Sequence, residues 1–315
     1  MFSRLKLFTC NANKKLADDV ARYAGVPLGD ASVFKFSNDN TFVKINENVR
    51  GADTFIIQPT CYPVNDSVME LLIMIDALKR ASAKNINCVI PYFAYARSDK
   101  KDQPRVPITA KLVADLLTVA GANRVLCMDL HSQQIQGFFN IPVDHLTSLL
   151  LFSRHFSSHY DLKDVVIVSP DAGGTERARE MAEKLNCELA IGDKRRLGND
   201  GNAEILNIIG DVEGKTAILI DDIIDSGGSL CKMAKTLMDN KAKKVYAACA
   251  HGILSGNAVQ KLEESPIEKL YITDSIPLTE EKAKCKKIVQ LSIAEMLAIA
   301  IKKIHIEESL SILFR

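Results

Sequence analysis

Two acidic residues, Asp221 and Asp222, stand side by side where an apolar run ends in "KTAILIDDIIDSGGSL". The pair Gly227-Gly228 follows between two serines. Glycines permit a positive φ and close backbone approach, and amides at a helix start bind phosphate. Because carboxylates accept hydrogen bonds from vicinal hydroxyls or hold a divalent cation, the segment predicts a site for a phosphorylated sugar. The alternative is a capped helix start with solvated acids; an isolated D-S-G-G would favour it, but the acid pair and the strand before it do not.

Two more polar turns follow apolar runs. In "DLHSQQ", His131 comes just after a predicted strand, where it can bind a metal ion or a nucleotide phosphate, although a single histidine is more often structural. In "SPDAGGT", Asp171 precedes a glycine turn and is a candidate Mg²⁺ ligand, because hard cations prefer carboxylate oxygens. The amides of Ala172 to Thr175 can receive anionic oxygens. The alternative for Asp171 is an ordinary turn in which its side chain caps the next helix.

Two charged clusters complete the set of polar segments at predicted strand ends. The segment "DKRR" carries Lys194, Arg195 and Arg196 in a row, and such a basic run is usually a solvated surface. The segment "ARSDKKDQPR" follows Phe93, mixes both signs of charge and predicts a mobile loop. In open α/β sheets, ligands bind beyond the carboxyl ends of the strands, which is where all these clusters are expected.

The elements that must position these residues alternate between short β-rich runs and helical patterns. The predicted strands include Thr54–Thr60, Asn87–Phe93 and Arg124–His131. Helices are predicted between them, and Ser67-x-x-Glu70 fits a capping box at a helix start. The second half repeats the plan, and residues 279–309 predict a C-terminal helical stretch. The alternation predicts an α/β fold of two similar domains with mainly parallel sheets flanked by helices, meeting near residue 146.

Bulk properties narrow the classes of function. The chain has 315 residues, enough for two ordinary domains, and its 40 basic and 39 acidic residues leave a net charge of +1, which does not indicate a nucleic-acid partner. There is no apolar run of about 18 residues or more, so no membrane span is expected, and the first residues do not read as a signal peptide. Eight scattered cysteines without C-x-x-C spacing are typical of buried, reduced thiols, which predicts a cytoplasmic location.

Seven segments of this chain carry a family resemblance. The segment "ILIDDIIDSGGS" resembles the phosphoribosyl diphosphate binding loop shared by phosphoribosyltransferases and phosphoribosyl diphosphate synthetases. The others are "NVRGADTFIIQ", "MELLIMIDALKRASA", "YARSDKKDQPR", "MDLHSQQIQGFF", "VSPDAGGTERA" and "AHGILSG". Together, nearly end to end, they are similar to the ribose-phosphate diphosphokinase family. The resemblance implies two phosphoribosyltransferase-like domains: residues 1–146 on the ATP side with a flexible loop at 97–105, and residues 147–315 on the ribose 5-phosphate side.

The resemblance also implies a reaction and a role for individual residues. The diphosphate group of ATP would pass to the anomeric hydroxyl of ribose 5-phosphate, giving phosphoribosyl diphosphate and AMP for nucleotide biosynthesis. The implied catalytic residues are Lys194, Arg196 and Arg97, and the implied ribose 5-phosphate contacts are Asp221, Asp222, Asp225, Ser226, Gly227, Gly228 and Ser229. The implied ATP contacts are Phe36, Asn38, Asn40, Arg97, Ser98, Asp99 and His131, and the implied diphosphate loop is Asp171, Ala172, Gly173, Gly174 and Thr175. Mg²⁺ is the implied cofactor, with His131 and Asp171 as its ligands.

This chain departs from the family pattern at two positions near the nucleotide base. Ser98 stands where the family usually has glutamine, and Asn40 ends "FSNDN" where the family usually has glutamate. Both departures predict altered strength and selectivity of ATP recognition. In the glycine loop, Ser226 and Ser229 replace the common threonines but keep the hydroxyl, so we expect little change there.

Two other functions compete with this interpretation. A catalytically silent regulatory paralogue would carry broken loops or an insertion near residues 97–105, and neither is seen. A phosphoribosyltransferase would need one domain and no ATP lid. The resemblance further implies a homo-oligomer, usually a hexamer, and regulation by ADP or phosphate at a second site.

Overall fold

The computed structural model describes residues 4–197 and 203–314, and the chain forms two compact units. The first unit comprises residues 1–147, 275–277 and 292–315, and the second comprises residues 148–274 and 278–291. The C-terminal segment 292–315 therefore belongs to the first unit, although the predicted second domain, 147–315, included it. An apolar helix face is visible in a sequence, but the element that the face covers is not.

Helices and strands are numbered here along the whole chain. The helices are α1 Lys14–Ala24, α2 Val64–Arg80, α3 Thr109–Ala120, α4 Leu149–His159, α5 Thr175–Leu185, α6 Gly228–Asp239, α7 Ala258–Glu264 and α8 Ala294–His305. The strands are β1 Leu5–Thr9, β2 Ala31–Lys35, β3 Thr41–Ile45, β4 Asp53–Ile57, β5 Asn85–Ile90, β6 Arg124–Met128, β7 Val143–Leu146, β8 Val165–Ser169, β9 Glu188–Leu197, β10 Ala203–Ile209, β11 Thr216–Ile224, β12 Lys244–Gly252, β13 Ile267–Thr273 and β14 Ile288–Leu291. Short 3₁₀ helices span Gln133–Phe138, Lys282–Lys284 and Ser311–Leu313.

The first unit is built on a five-stranded sheet in the order β1-β4-β5-β6-β7, in which every neighbouring pair is parallel. All of β4 is buried, as is β5 after its first residue. The second parts of these strands, Phe55–Ile57 and Cys88–Ile90, are continuous apolar runs rather than alternating ones, as expected where helices cover both faces of a parallel sheet. On one face, α2 and α3 supply Met74, Leu78 and Leu117 to the core.

The C-terminal helix completes the first unit. Helix α8 lies against α1 and buries Leu297 and Ile301, each of which contributes roughly 1.5–3 kcal/mol by leaving water. At its end, Nδ1 of His305 lies 2.8 Å from Oδ2 of Asp53, the first residue of β4. Asn87 donates to the other carboxylate oxygen of Asp53 at 2.9 Å. Each carboxylate oxygen of the buried Asp53 therefore has a side-chain partner, one on α8 and one on β5.

The second unit is built on a seven-stranded sheet in the order β10-β9-β8-β11-β12-β13-β14. All neighbouring pairs are parallel except β9 and β10, which form an antiparallel pair. Successive residues of β11 face opposite sides: Leu219 packs with Met233 of α6, whereas Ile218 and Ile220 pack with Met181 of α5. This confirms the predicted α/β class with mainly parallel sheets flanked by helices.

Two local predictions were wrong. Ser67 does not cap a helix, because α2 already begins at Val64; its hydroxyl donates to the Cys61 carbonyl at 2.7 Å. Glu70 is buried and accepts hydrogen bonds from Asn11 instead. Residues 279–309 are not one helical stretch, because "IVQL" forms β14, which extends the sheet beside β13 before α8 begins. A four-residue strand gains its stability from the neighbouring strand, which a local pattern does not reveal.

Two general expectations concern the cysteines and the membrane. All eight cysteines lie in the described part of the chain; each is a free thiol, six buried and two half-buried, as predicted. Within residues 4–197 and 203–314, no helix is long and apolar enough to cross a membrane.

Candidate active site

The glycine loop of the second unit joins β11 to α6. Gly227 has φ = 71°, in the left-handed region that side chains rarely adopt, and α6 begins at the next residue. No acidic residue lies in the first turn of α6, and Gly227 makes no side-chain capping hydrogen bond. A helix start of this kind attracts an anion through its amides and its dipole. The loop predicted to hold a phosphate therefore has the backbone geometry for it.

The loop between β12 and α7, together with α7 itself, makes hydrogen bonds to the glycine loop. The Ser255 hydroxyl donates to the Asp225 carboxylate, and the Ser255 amide donates to the Asp225 carbonyl at 3.0 Å. The Lys261 ammonium donates to the Ser226 carbonyl at 3.3 Å. These contacts hold Asp225 and Ser226 from outside their own segment. Ser255 lies in the segment "AHGILSG", and no role for it is predictable from the sequence because nothing local indicates which loop it contacts.

The adjacent acids Asp221 and Asp222 occupy different environments. Asp222 is 4% exposed, and its carboxylate lies 3.6 Å from a guanidinium nitrogen of Arg177 on α5. The amide of Asp222 donates to Oδ1 of Asp221 at 2.9 Å. Burial, followed by the neighbouring Asp222, raises the pKa of Asp221, while the charge of Arg177 works to lower it. The pair is therefore tolerated because an arginine offsets one carboxylate while the other binds its proton more tightly.

The diphosphate loop predicted at Asp171–Thr175 joins β8 to α5. The Ser169 hydroxyl donates to the Asp171 carbonyl at 2.6 Å, and Oδ1 of Asp171 accepts from the amide of Gly174, the residue before α5, at 3.1 Å. A Cβ on Gly174 would lie 3.0 Å from the Ser169 hydroxyl, so the turn leaves little room for a side chain. Asp171 thus makes the contact expected of a turn and helix-start residue. Its role as a metal ligand stays a prediction.

The structure brings the glycine and diphosphate loops to the same edge of the sheet. Strands β8 and β11 are parallel neighbours, so the loops that follow them emerge side by side. Arg177 lies in the first turn of α5, which follows the diphosphate loop, and its ion pair with Asp222 connects this helix to the strand before the glycine loop. Sequence reasoning missed Arg177; the one available signal was a cation at a helix start, where it opposes the helix dipole.

The basic pair Lys194 and Arg196 falls within β9, the other neighbour of β8. In the backbone register of the β9–β10 pair, Lys194 is opposite Leu206 and Arg196 is opposite Glu204. The side chains of these residues lie outside the described residues, so their predicted catalytic role stays a prediction.

In the first unit, His131 follows β6 on a loop fixed by buried contacts. Asp129 is buried with φ = 40°, its amide donates to the Leu146 carbonyl at 3.0 Å, and the Thr147 hydroxyl donates to its carboxylate at 3.3 Å. The amide of Leu130 donates to Nε2 of His145 at 2.9 Å. The His131 side chain is exposed. A rigid base therefore presents His131 to solvent, where a ligand can reach it.

The predicted ATP lid lies between β5 and α3. The amide of Ser98 donates to the Tyr95 carbonyl at 2.8 Å, and the Ser98 carbonyl accepts from Ala110 at 3.2 Å. Arg97 is exposed and Asp99 half-exposed, and every residue from 100 to 105 is exposed. Ser98 is thus anchored through its backbone, while the charged residues after it face solvent.

The segment Phe36–Asn40 forms the turn of the β2–β3 hairpin. The amide of Phe36 donates to the Asn40 carbonyl at 2.9 Å, and the Asn38 side chain accepts from the Asn40 amide at 3.2 Å. The Phe36 ring is 49% exposed and lies edge-on to Phe34 and Phe42, with ring centroids 5.4 Å apart in both pairs. An exposed aromatic ring beside amide side chains is suited to stacking on a base.

Replacing Asp221 with asparagine should stabilise the protein increasingly as the pH rises. An acid with a raised pKa keeps its proton to a higher pH in the folded chain than in the unfolded one, so its ionisation opposes folding above about pH 4. The free energy of unfolding of Asp221→Asn relative to wild type should therefore grow from acidic to neutral and weakly basic pH. Urea titrations at a series of pH values measure this difference.

Asp211 provides the matched control with the opposite sign. It is exposed, and its hydrogen bond with Lys215, 3.0 Å away, lowers its pKa. Asp211→Asn should therefore lose stability relative to wild type as the pH rises. If the free energy of unfolding of Asp221→Asn relative to wild type did not change with pH, the pKa of Asp221 would not be raised in the folded chain.

Comparison with known proteins identifies the family. The family model described as the N-terminal domain of ribose phosphate pyrophosphokinase matches residues 5–121, and the model described as the phosphoribosyl synthetase-associated domain matches residues 199–315. A ribose-phosphate pyrophosphokinase of Bacillus cereus is 54% identical over 312 residues, covering 99% of this chain and 98% of that protein. One of Caldanaerobacter subterraneus subsp. tengcongensis is 56% identical over 310 residues, 98% of each chain. A crystal structure of phosphoribosylpyrophosphate synthetase from Mycobacterium smegmatis aligns with a TM-score of 0.92 at 42% identity, covering 97% of this chain and all of that one. This chain therefore belongs to the ribose-phosphate pyrophosphokinase family.

Proposed function

We propose that this protein transfers the diphosphate group of ATP to ribose 5-phosphate. The anomeric oxygen attacks the β-phosphorus and loses its proton, the bond from the β-phosphorus to the oxygen bridging to AMP breaks, and the products are phosphoribosyl diphosphate and AMP. The observation that carries the proposal is the juxtaposition, at one sheet edge, of the acid pair with its glycine loop and the β8–α5 turn. Family membership over nearly the whole chain supports the same reaction.

The acceptor, ribose 5-phosphate, is proposed to bind along the β11–α6 segment. Its phosphate is received by the amides of Ser226 to Ser229 at the start of α6, which are free of acidic neighbours in the first turn. Its hydroxyls donate to Asp221 and Asp222. The two ends of one small molecule are thus held by a short stretch of chain, which limits the orientations of the anomeric hydroxyl.

The donor, ATP, is proposed to contact three sets of residues. Phe36, Asn38 and Asn40 would face the base, and Arg97, Ser98, Asp99 and His131 would contact the rest of the nucleotide. The amides of Ala172 to Thr175 would receive the diphosphate group. Lys194, Arg196 and Arg97 would offset the negative charge that develops as the group transfers, which is the main demand of phosphoryl chemistry.

The residues fit a Mg²⁺ ion that arrives with the nucleotide. Within residues 4–197 and 203–314, no group of three His, Cys, Asp or Glu side chains forms a metal cage. Mg²⁺ commonly keeps several waters and binds one or two carboxylates plus substrate phosphates, so a dedicated cage is not required. Asp171 and His131 are its proposed protein ligands. When bound, the ion draws negative charge from the phosphate oxygens.

The proposal also covers the biosynthetic role, location, assembly and regulation of the protein. The protein would supply phosphoribosyl diphosphate for nucleotide biosynthesis in the cytoplasm and would work as a homo-oligomer, a hexamer by resemblance, regulated by ADP or phosphate. The alternatives, a silent regulatory paralogue and a phosphoribosyltransferase, are not favoured by the near-full-length matches to ribose-phosphate pyrophosphokinases.

The reaction itself is testable with the purified chain. In a mixture of protein, Mg²⁺, ATP and ribose 5-phosphate, AMP and phosphoribosyl diphosphate should form in equal amounts, as followed by chromatography. Omitting ribose 5-phosphate should abolish AMP formation. A protein that yields no AMP, or that yields ADP instead, would contradict the proposal; no product would favour the regulatory paralogue, and a requirement for a free base would favour the transferase.

Lys194→Ala should lower kcat about a hundredfold or more while changing the KM values little. The proposed role is realised mainly in the transition state, where one charged donor is commonly worth a factor of this size. Lys163→Ala is the matched control, because Lys163 is exposed and lies just before β8, at the end of the strand away from the proposed site. Steady-state kinetics with kcat preserved in Lys194→Ala would remove this residue from the catalytic set.

Asn40 and Ser98 should relax nucleotide selection. In a panel of nucleoside triphosphates, the wild type should accept alternatives to ATP, and Asn40→Glu with Ser98→Gln should raise the preference for ATP about fivefold, the value of one hydrogen bond of about 1 kcal/mol. Asn140→Glu, the same substitution at an exposed position outside the hairpin turn, should leave the preference unchanged. Strict ATP preference in the wild type would defeat this idea.

A further inference from the structure

Arg177 is placed where its charge is otherwise unfavourable. It lies in the first turn of α5, at the positive end of the helix dipole, where cations destabilise. Its side chain is only 20% exposed, so it has also lost much of its hydration. A partly buried arginine at a helix start requires a compensating anion, and Asp222, 3.6 Å away and with a side chain 6% exposed, is that anion.

The strand direction explains why Arg177 reaches Asp222 rather than Asp221. Alternate residues of β11 face opposite sides of the sheet, and Ile218 and Ile220 face α5. Asp222 continues that row and meets the guanidinium of Arg177. Asp221 belongs to the other row and interacts with the amide of Asp222. Asp222 is thus held by a side chain of α5, and Asp221 by a backbone amide of its own strand.

We propose that Arg177 is a positioning residue for ribose 5-phosphate, which holds the side chain of Asp222 oriented to accept from the sugar hydroxyls. The inference rests on the proposed function. Arg177 acts through Asp222 and need not touch the sugar. Because α5 also follows the Asp171–Thr175 loop directly, the same side chain keeps the sugar-binding acid in register with the loop proposed for the diphosphate.

Substitution of Arg177 is expected to change the KM for ribose 5-phosphate more than the KM for ATP. Arg177→Gln should raise the KM for ribose 5-phosphate about tenfold or more, as expected when a charged partner is removed from a buried acid. The KM for ATP should change less than about twofold, since the acid pair is proposed to contact the sugar acceptor. Arg177→Lys keeps the charge without the planar guanidinium and should recover part of the loss.

Steady-state kinetics with each substrate varied in turn, together with calorimetric titration of ribose 5-phosphate alone, would test this. Arg179→Gln is the matched control, because Arg179 is an exposed arginine two residues further along the same helix. Thermal unfolding of each variant shows which are folded; if Arg177→Gln is not, Arg177→Lys carries the test. In an Asp222→Asn background, Arg177→Gln should add little further loss, because both residues act at one point.

Three results would overturn the inference. The first is an unchanged KM for ribose 5-phosphate in folded Arg177→Gln and Arg177→Lys. The second is an equal rise in both KM values, which indicates a general structural role. The third is additive losses in the Asp222→Asn background. Wild-type AMP formation is measured in the same series, so failure of the proposed function, with no AMP from the wild type, is distinct from failure of this inference.

Discussion

The constraint on which the second unit depends is the placement of two adjacent carboxyl groups near the end of β11, that of Asp221 half-buried and that of Asp222 buried. Asp221 and Asp222 lose hydration and repel each other, and both effects raise the free energy of the folded chain. Arg177 offsets one charge from α5, and the Asp222 amide donates to Asp221. This arrangement requires α5 to begin beside the end of β11, which the parallel pairing of β8 with β11 secures. The order of the strands in the sheet therefore also determines which charges meet in the site.

Both units place polar loops at the carboxyl ends of buried parallel strands, and in each unit one such loop is fixed by hydrogen bonds from a neighbouring segment. In the second unit, Ser255 holds Asp225. In the first, Thr147 holds Asp129 and the ring of His145 holds the Leu130 amide. His131 and the glycine loop follow these fixed points, so both are presented on a rigid base. Rigid loops lower the entropy lost when substrates bind, which suits a reaction that depends on positioning.

Much of this organisation was predictable because its signals are local. The apolar run before Asp221, the turn at Gly227 and the alternation of strand and helix patterns indicate the α/β class and the glycine loop without any tertiary information. The predictions that were wrong concern residues whose structure depends on contacts with other segments of the chain. Ser67 has the spacing of a helix cap, but its hydroxyl bonds to the Cys61 carbonyl inside a helix that starts earlier. Residues 288–291 join a helical pattern in the sequence, yet pairing with β13 makes them a strand.

By itself, the sequence determined which residues carry charge, which turns need glycine and which runs must be buried, because these follow from side-chain chemistry and short-range geometry. Only the tertiary structure decided that the C-terminal helix completes the first unit, that Ser255 supports the glycine loop, and that Asp222 rather than Asp221 meets Arg177. The physical reason is the same in each case. A side chain 45 residues away along the chain becomes a neighbour only through strand order, and strand order is settled by the burial of whole faces rather than by any single residue.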